Sequence, residues 1–211
     1  VGGKQVIYNL FMSSINKGDE VVIPSPYWVS YPDIVSLCRG KPVLVKSDSK
    51  NKFKITPQML EKKINEKTKW FIINSPCNPT GTVYSREELT EISKVLINNP
   101  HVNVLSDDIY EHIIYENQKF YNILNVAPDL YERTFIVNGV SKAFSMTGWR
   151  IGYGAGNEKL IKSIAKIQSQ STTNPCSISQ IAAQFALDTK KNFLSDWIKQ
   201  FEERKNFLIN F

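Results

Sequence analysis

The sequence predicts an α/β fold: a mostly parallel sheet with helices on both faces. Two observations predict it. Short apolar runs alternate with longer segments whose apolar residues recur at helical spacing. The runs are also apolar throughout rather than alternating, as strands covered on both faces are.

The elements follow in order. Residues 4–16 carry Val6, Ile7, Leu10 and Phe11 at helical spacing, and Gly18-Asp19 stops that helix. Val21-Val22-Ile23 forms a strand over 20–24, residues 27–38 a helix, and Val43-Leu44-Val45 a strand over 42–46. Thr56-Pro57 opens a helix expected to reach about residue 65, with proline at its first position. A strand covers 70–74. Ser85 and Glu88 make a capping box for a helix carrying Leu89, Ile92 and Leu96. Strands follow at 102–106, 134–138 and 151–155, then helices at 157–172, 176–189 and 192–211. No repeat, low-complexity tract or linker interrupts the pattern, so residues 1–211 read as one domain.

Composition narrows the function classes. Basic residues number 26 and acidic residues 20, for a net charge of +6. The lysines are scattered and not interleaved with aromatics, so nucleic-acid binding is not indicated. Cys38, Cys77 and Cys176 are odd in number and far apart, which argues against both a disulfide framework and a zinc site. The two histidines, His101 and His112, make no metal site. No apolar run has transmembrane length and no signal peptide is visible; a cytoplasmic protein is expected. The chain opens with Val1-Gly2-Gly3-Lys4 at a helix start without an initiator Met, and so reads as a fragment.

In parallel sheets, ligands bind beyond the carboxyl ends of the strands. There the sequence places Trp28, Asn78, Asp107, Tyr110 and Lys142. Lys142 stands among Val140, Ala143, Phe144 and Met146, apolar neighbours of the kind that disfavour a charged amine and make it a Schiff-base nucleophile. Asp107 suits an aromatic ring nitrogen, which a carboxylate keeps protonated. Asp108 competes for that role; Asp107 is preferred because it lies three residues before Tyr110. Asn78 and Tyr110 can hydrogen-bond a phenolate oxygen, and Trp28 offers a flat face for stacking. Gly2-Gly3-Lys4 at a helix N-terminus and Arg150 suit a phosphate. The glycines of 152–156 lie within a strand and do not have dinucleotide-binding spacing. Ser141 has no triad partners.

The segment Ser141-Lys142-Ala143-Phe144-Ser145-Met146-Thr147-Gly148-Trp149-Arg150-Ile151-Gly152-Tyr153 resembles the attachment segment for pyridoxal 5′-phosphate (PLP) in class I and II aminotransferases. Asn74-Ser75-Pro76-Cys77-Asn78-Pro79-Thr80-Gly81 and Ser106-Asp107-Asp108-Ile109-Tyr110-Glu111 resemble two more motifs of that family, in the same order. Ser25-Pro26-Tyr27-Trp28-Val29-Ser30-Tyr31-Pro32 and Gln168-Ser169-Gln170-Ser171-Thr172-Thr173-Asn174-Pro175 are similar to its bacterial aspartate/prephenate branch.

The resemblance implies the large domain of a fold type I PLP-dependent transferase. It implies amino transfer, preferably between aspartate and 2-oxoglutarate, with prephenate as a further acceptor. Lys142 then carries the cofactor and moves the substrate proton, Asp107 pairs with the ring nitrogen, and Tyr110 and Asn78 bond the ring oxygen. Trp28 stacks on the ring, and Trp28 and Asn78 also meet the substrate. Gly3, Lys4 and Arg150 face the phosphate. Many relatives have a serine three residues before the lysine; this chain has Gly139. The resemblance further implies a homodimer, an arginine for the substrate carboxylate beyond residue 211, and a small domain outside the chain. A PLP lyase on the same fold, or the effector-binding domain of a transcription regulator, are the alternatives.

Overall fold

The computed structural model describes residues 1–115, 118–190 and 192–211. Among the described residues six strands form one sheet: β1 (Glu20–Ser25), β2 (Lys41–Lys46), β3 (Thr68–Asn74), β4 (Asn103–Asp107), β5 (Thr134–Gly139) and β6 (Gly152–Ala155). Their order is β2-β1-β3-β4-β5-β6, parallel except for β6, which runs antiparallel to β5.

The helices are α1 (Gly3–Ser14), α2 (Ser30–Leu37), α3 (Pro57–Glu61), α4 (Arg86–Ile97), α5 (Ile123–Val126), α6 (Glu158–Ser169), α7 (Ser177–Asp188) and α8 (Phe193–Asn210). The strand side chains alternate between two cores. Val21, Ile23, Trp70, Ile72 and Leu105 pack under α1 and α2, with α6 alongside. Val22, Phe71, Ile73 and Val104 pack under α3, α4 and α5. Both faces are thus covered, as the unbroken apolar runs predicted.

The capping box of α4 is present: Ser85 accepts from the Glu88 amide, and Glu88 accepts from the Ser85 amide. One expectation needs correction. The helix opened by Thr56-Pro57 ends at Glu61, and turns continue the chain from there. The strand expected at 151–155 is present as β6, at the edge of the sheet. The short α5 had not been read, because four residues are too few to show a period.

α7 and α8 stand outside the two layers. Ala183 of α7 packs with Val140 and Ile151, while Ile178, Ile181 and Phe185 are exposed. In α8, Phe193 meets Phe144 and Trp197 at ring-centroid distances of 6.0 and 5.1 Å.

Candidate active site

The parallel strands end on one edge of the sheet, and the N-terminus of α1 meets them there. A cavity of about 180 Å³ lies at this junction. Gly3, Lys4, Trp28, Asn78, Asp107, Tyr110, Lys142 and Arg150 all line it. Every site residue expected from the sequence is therefore brought together, from positions up to 147 residues apart.

Asp107, the last residue of β4, is 5% exposed. Its Oδ2 accepts from the Tyr31 hydroxyl at 2.6 Å and its Oδ1 from the Ile109 amide at 3.3 Å. Burial pushes its carboxyl above the usual range, while these two bonds pull it down. Strand alternation sends Asp108 to the other side. Its Oδ1 accepts from Ser106 at 2.7 Å and its Oδ2 accepts from Asn122, the cap of α5. Burial raises Asp108 to about 7. Among the described residues Asp107 lines the cavity and Asp108 does not.

The stacking platform and the loop after β3 are fixed by their neighbours. The ring of Trp28 meets Tyr31 edge-on at 5.3 Å, and the Lys4 amine lies 5.1 Å from the Trp28 ring centroid. Asn74, at the end of β3, donates to the Asp107 carbonyl at 2.9 Å. Its Oδ1 accepts from the Asn78 amide at 2.8 Å. Asn74 thus ties the Asn78 loop to the end of β4.

Lys142 is exposed, and its Nζ lies 5.7 Å from the centroid of the Tyr110 ring. Its apolar neighbours do not enclose the amine as expected. Val140 packs with Ile151 and Ala183, and Phe144 and Met146 pack against that cluster, away from the cavity.

At the opposite corner, no side chain caps α1 and no acid occupies its first turn. A Cβ added at Gly2 would stand 2.5 Å from Arg150 Nη2, so the guanidinium sits against this helix start. One of its donors bonds the Thr147 carbonyl at 2.7 Å. A Cβ at Gly152 would stand 2.2 Å from the Gly3 nitrogen, so β6 approaches α1 backbone to backbone. Helix amides and a guanidinium together are donors suited to an anion. At Gly139 a Cβ would meet the Ile151 carbonyl at 2.8 Å, which explains glycine there: a serine would have to displace β6.

Sequence reasoning missed Tyr31 and Asn74. Tyr31 follows Trp28 by three residues, a spacing that shares a helix face; its bond to Asp107 spans 76 residues and is purely tertiary. Among the described residues no cluster of His, Cys, Asp and Glu could hold a metal ion.

Comparison with known proteins agrees with this geometry. A protein from Rickettsia felis named probable aspartate/prephenate aminotransferase is 57% identical over 99% of this chain and 51% of its own length. The solved aspartate aminotransferase of Rhizobium meliloti superposes with a TM-score of 0.98 at 46% identity, over 99% of this chain and 52% of that one. The aspartate aminotransferase of Thermus thermophilus, solved with maleate, gives 0.94 at 39% identity, over 100% of this chain and 55% of that one. The chain therefore spans about half the length of the relatives it matches. The family profile described as aminotransferase class I and II matches residues 1–210, and the chain belongs to that family.

Proposed function

We propose that residues 1–211 are the cofactor-binding large domain of a PLP-dependent aminotransferase that moves an amino group from aspartate to 2-oxoglutarate. The observation that carries this reading is the shared cavity of Lys142 and Asp107, with Trp28 beside them and donors suited to an anion at Gly3 and Arg150.

The donor set fits PLP. When bound, that cofactor supplies an aldehyde for amine capture and a cationic ring that withdraws electrons from the reacting carbon. Asp107 would accept the ring N–H. Asn78 and Tyr110 would donate to the ring oxygen, and the Trp28 indole would offer a face for the ring. The amides at the start of α1, Lys4 and Arg150 would hold the phosphate. Lys142 Nζ would hold the cofactor and, once free, would accept the substrate's α-proton and return it. Its exposure leaves the amine within reach of an incoming substrate.

The substrate pair is supported by the relatives' names. The Thermus enzyme was solved with maleate, a four-carbon dicarboxylate like aspartate. Prephenate is a further acceptor on the strength of the Rickettsia relative's name. The homodimer rests on the family resemblance. A cytoplasmic location suits three free thiols. Among the described residues no helix is long and apolar enough to cross a membrane.

The test is an assay of the full-length protein with aspartate and 2-oxoglutarate, following oxaloacetate, glutamate and ammonia. Oxaloacetate and glutamate should form in equal amounts, and Lys142→Ala should lower the rate by at least about 100-fold. Ammonia in place of glutamate would point to elimination. Undiminished turnover in Lys142→Ala would end the proposal.

A further inference from the structure

We propose that Tyr31 is a positioning residue for Asp107: its buried hydroxyl holds that carboxylate charged and turned toward the cofactor ring, while its ring supports Trp28. The inference rests on the aminotransferase reading above.

Three observations carry it. Tyr31 is 2% exposed, so its hydroxyl is largely withdrawn from bulk water. That hydroxyl donates to Asp107 Oδ2 at 2.6 Å, a short bond of the charge-assisted kind. The same residue meets Trp28 edge-on at 5.3 Å, so it touches both the carboxylate and the platform on either side of the ring site.

The need for such a donor follows from burial. Asp107 lies in a place that favours its neutral form. A neutral carboxyl cannot accept a hydrogen bond from a charged ring nitrogen in the same way. Among the described residues no cation forms an ion pair with Asp107: Lys4, Lys142 and Arg150 line the cavity without pairing with it. The other titratable groups nearby, Cys77, Asp108 and Tyr110, add no positive charge. The Tyr31 hydroxyl and the Ile109 amide are thus the groups that favour its charged form against burial.

The test measures PLP affinity of the full-length apoprotein against pH. A protonated Asp107 binds the protonated ring poorly, so affinity falls on the acid side. In Tyr31→Phe this acid limb should move up by about one pH unit, and affinity at pH 6 should fall about tenfold. In Asp107→Asn the limb should disappear, and adding Tyr31→Phe to that variant should not bring it back. The Asp107→Asn arm stands even if Tyr31→Phe does not fold. A Tyr31→Phe profile superposable on the unsubstituted one, or an acid limb that persists in Asp107→Asn, would overturn the inference alone. Failure of the unsubstituted protein to bind PLP would overturn the aminotransferase reading, and the inference with it.

Discussion

A methyl group at position 152 would stand 2.2 Å from the Gly3 nitrogen and 2.5 Å from the Gly2 carbonyl carbon. Neither atom belongs to a flexible side chain, so β6 and α1 would have to part. Gly152→Ala is expected to cost about 1–3 kcal/mol of stability, as overpacking does. It should also weaken PLP binding, because it disturbs the donors at the start of α1. Thermal unfolding and a PLP titration of the full-length protein check both effects. Asp108 makes a different demand. Its folded value of about 7 lies above the roughly 3.9 of an unfolded aspartate, so its neutral form is the one the fold favours. Its contribution to stability is fully present below about pH 4 and is lost as pH rises through about 7. Asp108→Asn cannot ionise, so its urea midpoint should fall less between pH 5 and pH 8 than that of the unsubstituted apoprotein. Equal falls would contradict this account. At this scale sequence placed Lys142, Asp107 and Arg150 next to strand ends, and all three line the cavity. Sequence could not place Tyr31, whose role depends on a partner 76 residues away. Nor could it show that the apolar neighbours of Lys142 pack away from the amine, since a sequence lists neighbours but not the directions they face.

At the scale of elements, local signals were reliable where a side chain satisfies its own backbone. The capping box at Ser85 and Glu88 and the Thr56 cap before Pro57 are both formed. Ser85→Ala should cost about 1 kcal/mol by leaving the Glu88 amide without its acceptor, measurable as a shift in the denaturant midpoint. Signals failed where length or direction depends on packing. The helix at Pro57 ends early although Ile64 continues its apolar pattern; Ile64 instead reaches the core from the turn. The antiparallel course of β6 was invisible, because an apolar run has no direction. It matters to the site, since this return brings Arg150 and Gly152 to the start of α1.

At the scale of the molecule, the alternation of strand side chains into two cores fixes which groups reach the binding edge. Leu105 packs on one face and Val104 on the other. The same alternation puts Asp107 on the side of Leu105 and Asp108 on the side of Val104. The site is therefore a product of the sheet as a whole: α1 and the segments following β1, β3, β4 and β5 each supply part of it. The fold class was readable because covered strands and helical periods are local patterns, whereas the register that aligns those strand ends is not.

The central claim is that Lys142 and Asp107 face one another across a bound pyridine ring, and the most direct measurement traps the cofactor where it is held. The full-length protein loaded with PLP is reduced with borohydride, digested and analysed by mass spectrometry. The expected result is one modified peptide with the cofactor on Lys142, and none in Lys142→Ala. Modification of another lysine, or a PLP-loaded protein whose Lys142 remains unmodified, would contradict the account.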